Sequence, residues 1–336
     1  MSTPVPEMAS IDKCGNAACT TSSASLAADS SSLRRYSRCR RTAYCSTECQ
    51  SASWPSHKTV CLRPNYIIKF HLAPEDITNP PVTRTLSCPA RAPFYMLHLA
   101  LQTAFGWATT HSFDFAVLDP DYREPDDIME FLRRRTGFGP GNDQRPLAAA
   151  SREYLFRVVD PAEQTMFSGI DRMHEGSRRH PSTPEKTAEK CLLFELFDNP
   201  KFPDRKIVYT YDFGDNWEHH MTIVGRADPT VDFVCLDGSG HAVAEDAGGT
   251  RGWERVKEAY QTQSPTQDQK GRRHWFEQQA SNADPRGLAG DRVNAWDRTQ
   301  INKDLESTTM FERFERMGDA ATAFHDRMSE TLQRSG

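Results

Sequence analysis

Apolar and polar positions alternate along YIIKFHLA, residues 66–73, and again along TRTLSCPA, residues 83–90, with an Asn-Pro-Pro break between them. Alternation puts successive side chains on opposite faces of a strand, so the two runs predict a strand pair joined at that break. Pro93 then opens PFYMLHLALQTAFGW, where Phe94, Leu97, Leu101 and Phe105 recur at helical spacing and Gly106 supplies a stop. HSFDFAVLD returns to alternation, and REYLFRVVD reads as a further strand. Two more apolar runs, KCLLFELF and KIVYTYD, lead through FGDN into WEHHMTIVG. The last pair reads as a hairpin, with Gly214 and Asn216 supplying turn geometry. Residues 119–150 and 175–190 lack periodicity and are read as loops or insertions. From Thr308 onward Phe311, Phe314, Met317, Ala321, Phe324, Met328 and Leu332 step by three or four, the stripe of an amphipathic helix over 306–336 expected to dock on the core. The pattern is that of an α+β domain, residues 64–305, with a mixed or antiparallel sheet.

The first 61 residues have a different texture: they hold six of the nine cysteines in a polar stretch with almost no apolar periodicity. An odd cysteine count and such clustering fit metal ligation better than a disulfide framework. No basic start followed by an apolar run resembles a secretory signal, and the richest apolar stretch, Phe94–Leu101, is shorter than a membrane span and contains His98. An intracellular, reducing location, cytoplasmic or nuclear, is expected, with no membrane partner. Net charge is +3 over residues 1–62 and −8 over the rest, so a small basic module precedes a large acidic one.

Residues 1–13 read as a disordered lead. Residues 14–61 then run Cys14-x4-Cys19, a Ser/Ala-rich gap, and Cys39-x5-Cys45-x3-Cys49-x7-His57-x3-Cys61. Thiolates and imidazoles in short-spaced pairs are what four-coordinate zinc takes, and seven candidate ligands imply two sites. A module this short has little core, so ligation would supply much of its folding free energy. Arg34, Arg35, Arg38, Arg40 and Arg41 could meet phosphate or form an import patch, but a charge excess of +3 is too small to argue for nucleic acid.

Tyr44, Cys45, Ser46, Cys49, Gln50, Trp54, Pro55, His57, Lys58 and Cys61 stand where a MYND zinc finger has them, and residues 14–61 resemble that family. The resemblance implies interleaved ligands: Cys14, Cys19, Cys45 and Cys49 on one zinc ion, and Cys39, His57 and Cys61 on a second. Tyr36 occupies the place of the missing cysteine. A phenol with pKa near 10 is a poor zinc ligand. Completion by water, completion by another residue and an empty site all stay open, which puts the expected zinc content between one and two per chain. Three ligands plus water also describes a catalytic zinc, but Glu48 is the sole base nearby, and the structural role leads. The resemblance further implies capture of short, proline-containing peptides beside Gln50 and Trp54.

LQTAFGWATTHSFDF (101–115), YTYDFGDNWEHHMTI (209–223) and LDGSGHAVAEDAGGTRGWERV (236–256) are similar to the plasmid pRiA4b ORF-3-like family, a domain of bacteria and of some fungal proteins. That resemblance implies a small α+β fold and no settled activity. Cys235 stands where the family has it, while Val243 and Ala244 replace prolines and Ala247 replaces a second cysteine, so no cysteine pair or metal role is expected there.

Asp212, Asp215, His219 and His111 are the candidates for acid/base or metal-assisted chemistry, with Asp246 able to converge on them. Against that, the aspartates can satisfy turn amides, and strand alternation sends one of His219 and His220 inward and the other outward. The sequence contains no nucleophile elbow, P-loop, dinucleotide fingerprint or His-Glu-x-x-His pair. The leading reading is a zinc-binding adaptor or regulatory protein without catalysis; the alternative is a metal-assisted hydrolase acting on nucleic acid or phosphoesters.

Overall fold

A two-stranded ribbon, β1 (Arg34–Arg35) and β2 (Ala43–Tyr44), and helix α1 (Thr47–His57) make up the N-terminal module in the computed structural model, which describes residues 11–20, 33–122, 154–161 and 183–306. The alternating runs that follow form one sheet from β3 (Asn65–Leu72), β4 (Val82–Cys88), β5 (Phe113–Leu118), β6 (Tyr154–Val159), β7 (Glu185–Thr187), β8 (Ile207–Tyr211), β9 (Trp217–Ala227) and β10 (Val234–Ser239). Across the sheet the order is β10-β4-β3-β9-β8-β5-β6-β7, antiparallel throughout except for the β6–β7 pair. The helices are α2 (Phe94–Phe105), α3 (Leu193–Phe197), α4 (Gly249–Gln261), α5 (Gln267–Gln278) and α6 (Arg298–Glu306). The expected α+β class with a mixed sheet is what the chain adopts.

Helix α2 is the apolar centre. Phe94, Leu97, Leu101 and Phe105 are each at most 1% exposed, as their spacing predicts. Its other side is buried too, through Met96, Leu99, Ala100 and Ala104, because α6 lies over α2 and β10. Asn302 of α6 accepts a hydrogen bond from the Cys235 amide (2.7 Å) and donates to its carbonyl (3.0 Å), so a helix side chain covers the free edge of β10. Arg84, buried in β4, donates to the carbonyls of Ala104, Ser239 and Gly240 and ties the end of α2 to β10.

Two expectations need correction. Within 175–190, residues Glu185–Thr187 form β7, because Arg157 of β6 ion-pairs with both Asp114 of β5 (2.7 Å) and Glu185 of β7. A buried guanidinium must be paired, and that requirement draws a short polar segment into the sheet where no apolar pattern marks it. In the β8–β9 turn the left-handed positions are Asp212 (φ 57°) and Asn216 (φ 57°). Gly214 instead donates its amide to Asp212 Oδ1 at 2.9 Å. Of the segments 119–150 and 175–190, and of the stripe from Thr308, residues 123–150, 175–182 and 307–336 lie outside the described residues.

Glycines at the start of α4 allow close approach. A Cβ on Gly252 would stand 1.7 Å from the Ala247 carbonyl oxygen, whereas one on Gly271, in exposed α5, would meet nothing within 4 Å. Gly252→Ala is therefore expected to cost about 1–3 kcal/mol of stability and Gly271→Ala to add about 0.5–1 kcal/mol, both read from urea unfolding midpoints. Equal midpoints for the two variants would contradict this packing.

Candidate metal centre

The finger has few apolar side chains to pack; Cys39, Ala43 and Tyr44 are buried, with Ser53 and His57 beside them. Its order comes from short hydrogen-bonded segments. Gly15 donates to the Ala43 carbonyl (2.8 Å), which lays the Cys14 segment on β2. Ser46 caps α1 by accepting from the Cys49 amide (3.2 Å), so Cys45 and Cys49 flank the first helical turn. Cys49, Ser53 and His57 then follow at intervals of four along one face of α1. Ser53 Oγ donates to the Gly15 carbonyl (3.2 Å) and fixes the middle of that face. Eight residues of helix separate Cys49 from His57 by about 12 Å, too far to share one ion and right for two sites.

The sulfurs of Cys14, Cys19, Cys45 and Cys49 lie within 4.8 Å of one another. Cys45 Sγ is 3.5 Å from Cys19, 3.6 Å from Cys49 and 3.7 Å from Cys14. A disulfide needs about 2.05 Å. Four sulfurs each about 2.3 Å from one zinc ion stand about 3.8 Å apart, so the set fits a tetrahedral site made of four thiolates. Asn16 Nδ2 donates to Cys49 Sγ at 3.4 Å, an outer contact that suits a thiolate.

Cys39, His57 and Cys61 form a second set. Cys39 Sγ is 3.5 Å from His57 Nε2, and sulfur and nitrogen on one tetrahedral zinc stand about 3.6 Å apart. A hydrogen bond from Cys61 pulls the Cys39 thiol down to about 5, and the same bond pushes the Cys61 thiol up. Tyr36 packs its ring on the edge of His57 (centroids 5.2 Å apart, planes at 81°) and beside Trp54 (5.7 Å). Gln50 and Trp54, four residues apart on α1, are both half-exposed. Arg34, Arg35, Arg38, Arg40 and Arg41 are exposed, and Arg41 reaches Asp228 of the large domain at 3.5 Å.

The four candidates in the large domain separate. His111 and Asp212 face each other, Nε2 to Oδ2 at 3.7 Å. Asp246 joins them, with Oδ1 3.0 Å from His111 Nε2. Asp215 turns away and accepts from the Gly248 amide (3.0 Å), pinning the double glycine against the hairpin. His219 is fully buried between Phe105, Trp107 and Tyr209. Its Nδ1 sits 3.0 Å from the Trp217 carbonyl, while His220 on the opposite face is half-exposed. Glu245, not among the candidates, lies 3.8 Å from His111 and is fully buried, bonded to Ala108 N, Thr110 Oγ1 and Tyr211 OH. The Glu-Asp pair ahead of the double glycine is the available signal, since a carboxylate run beside a helix start is often held by backbone and hydroxyl donors. Burial raises the Asp212 carboxyl above its ordinary value. Cys235 is buried and belongs to no donor cluster among the described residues.

A family model for the MYND finger matches residues 12–61, and one for plasmid pRiA4b ORF-3-like protein matches residues 66–291. Uncharacterized protein y4hQ of Sinorhizobium fredii (strain NBRC 101917 / NGR234) is 25% identical over 190 residues, spanning 55% of this chain and 68% of that protein. A crystal structure of a protein of unknown function, MM3350 from Methanosarcina mazei Go1, aligns with a TM-score of 0.45 at 18% identity, over 71% of this chain and 97% of that one. No helix among the described residues is long and apolar enough to cross a membrane.

Burial lowers both His219 and His98 from 6.5 to about 3, so each is neutral when folded and titrates normally when unfolded. The stability that this difference confers is complete above pH 6.5 and is lost as pH falls toward 3. Proton uptake on unfolding at pH 5, taken from the pH dependence of urea unfolding, should fall by about one proton in His219→Phe. Unchanged uptake would contradict a neutral, buried His219.

Proposed function

The chain belongs to the plasmid pRiA4b ORF-3-like family and carries a MYND finger ahead of the family domain, and from that premise we propose that it is a zinc-dependent adaptor. The finger captures a short, proline-containing segment of a protein partner, and the acidic α+β domain supplies a second surface. One observation carries this reading: Gln50 and Trp54 share a half-exposed face of α1, a helix with one zinc donor set at each end. An aromatic ring beside an amide on a rigid helix offers a proline both stacking area and a hydrogen bond. A reducing compartment, cytoplasm or nucleus, keeps the ligand thiols available.

The zinc complement follows from the donor sets. The four-sulfur set is complete and binds tightly. The second holds zinc through Cys39, His57 and Cys61 with water in the fourth position, at lower affinity, because a phenol is a poor zinc ligand and the Tyr36 ring serves the packing around His57.

Elemental analysis of dialysed protein should give between one and two zinc ions per chain, rising toward two in Tyr36→Cys; less than about half an equivalent would contradict the reading. Cys45→Ser should expose the finger to proteolysis while the large domain stays folded. Trp54→Ala should weaken binding of a proline-containing peptide by about tenfold or more at unchanged zinc content. An unchanged peptide affinity would remove the proposed recognition surface.

A further inference from the structure

We propose that His111, Asp212 and Asp246 form a second kind of metal site, in the large domain and distinct from the finger, that holds one divalent transition-metal cation. The three residues come from separate segments: the stretch after α2, the β8–β9 turn and the loop before α4. Their ligand atoms nevertheless lie within 4.8 Å of one another. Each carboxylate has one oxygen committed to the scaffold and one turned to the common point. Asp212 Oδ1 accepts from the amides of Gly214 (2.9 Å) and Asp215 (3.3 Å), while Oδ2 takes no hydrogen bond among the described residues and faces His111 Nε2, although the side chain is only 8% exposed. Asp246 Oδ2 accepts from Ser281 Oγ (2.8 Å), and Oδ1 faces the same nitrogen at 3.0 Å. Outer contacts of this kind are what hold metal ligands in orientation.

Charge points the same way. Glu245 stands behind the set, 3.8 Å from His111 Nε2, so three carboxylates surround one imidazole. Among the described residues no lysine or arginine forms an ion pair with any of the three. A divalent cation offsets two of the three negative charges and satisfies the open Asp212 oxygen. One nitrogen and two oxygens suit manganese, cobalt or zinc rather than calcium, which takes oxygen alone. Donors about 2.1 Å from an ion stand about 3.0–3.4 Å apart, so the His111–Asp246 spacing already fits and the Asp212 oxygen needs to move only slightly.

The test uses the full chain dialysed against a weak chelator so that zinc is kept by the finger alone, titrated with Mn²⁺, with free Mn²⁺ followed by its paramagnetic resonance signal. Manganese is a poor competitor for the sulfur set, so the finger's zinc content should not change. The expected result is saturable binding of one Mn²⁺ per chain, weakened about tenfold or more in both Asp246→Asn and His111→Gln. Asp246 is 46% exposed on its side chain, so its variant should keep the parent's urea unfolding curve and separate loss of binding from loss of fold. No saturable binding below about 1 mM, or a titration unaltered in either variant, would overturn the site.

Discussion

Three sulfurs stand within 3.7 Å of Cys45 Sγ, and the finger depends on what holds them there. Four thiols at that spacing are neither disulfides nor a hydrophobic core; a cation that turns them into thiolate ligands is what makes the arrangement favourable. The consequence runs along α1. Its capped first turn belongs to the four-sulfur set, and its last residue, His57, belongs to the three-donor set. The face between them carries Gln50 and Trp54. Metal binding, helix order and the proposed peptide surface are therefore one structure, and Tyr36, packed on His57 and Trp54, touches the last two at once.

The large domain is held differently. Its sheet packs on a largely apolar helix, and the charges it buries are paired: Arg157 with Asp114 and Glu185, and Arg84 with backbone carbonyls. Against that background the His111–Asp212–Asp246 set differs, because its carboxylates outnumber their cationic partners. The Asp215–Gly248 hydrogen bond holds the hairpin and the α4 loop together, and a Cβ on Gly249 would come 2.9 Å from the Asp215 carbonyl oxygen. The close approach that glycine permits is what brings Asp246 to Asp212.

Much of this is legible in the sequence, and for reasons that can be stated. The finger's donor residues can be read because metal coordination ties distant donors to short spacings, and the donor atoms of each set lie within 4.8 Å of one another. Strands β3, β4 and β5 can be read from the alternation of their residues, and β8 and β9 from the runs that flank a turn, although burial itself alternates little and β8 is buried at every position. The order of strands across the sheet cannot, since pairing between sequence-distant strands leaves no local pattern. Helix α1 leaves no periodic signal, because its stability comes from the Ser46 cap and the ligands at its ends rather than from an apolar stripe. In the candidate site His111, Asp212 and Asp246 converge, whereas His219 is a core residue. Its place beside His220 leaves open which of the two points inward, and the register of β9 against β3 and β8 decides it. The Glu-Asp pair before the double glycine marks Glu245, but its partners do not show in the sequence, because only the fold brings Tyr211 and Thr110 to it.

The central claim is that the first zinc ion taken up is held by Cys14, Cys19, Cys45 and Cys49 and by nothing else. X-ray absorption at the zinc edge, on the full chain carrying a single equivalent, reads the ligand shell directly. The account predicts four sulfur scatterers at about 2.3 Å and no nitrogen or oxygen among the zinc's immediate neighbours. A nitrogen at about 2.0 Å from the zinc would place that ion at Cys39, His57 and Cys61 and contradict the account.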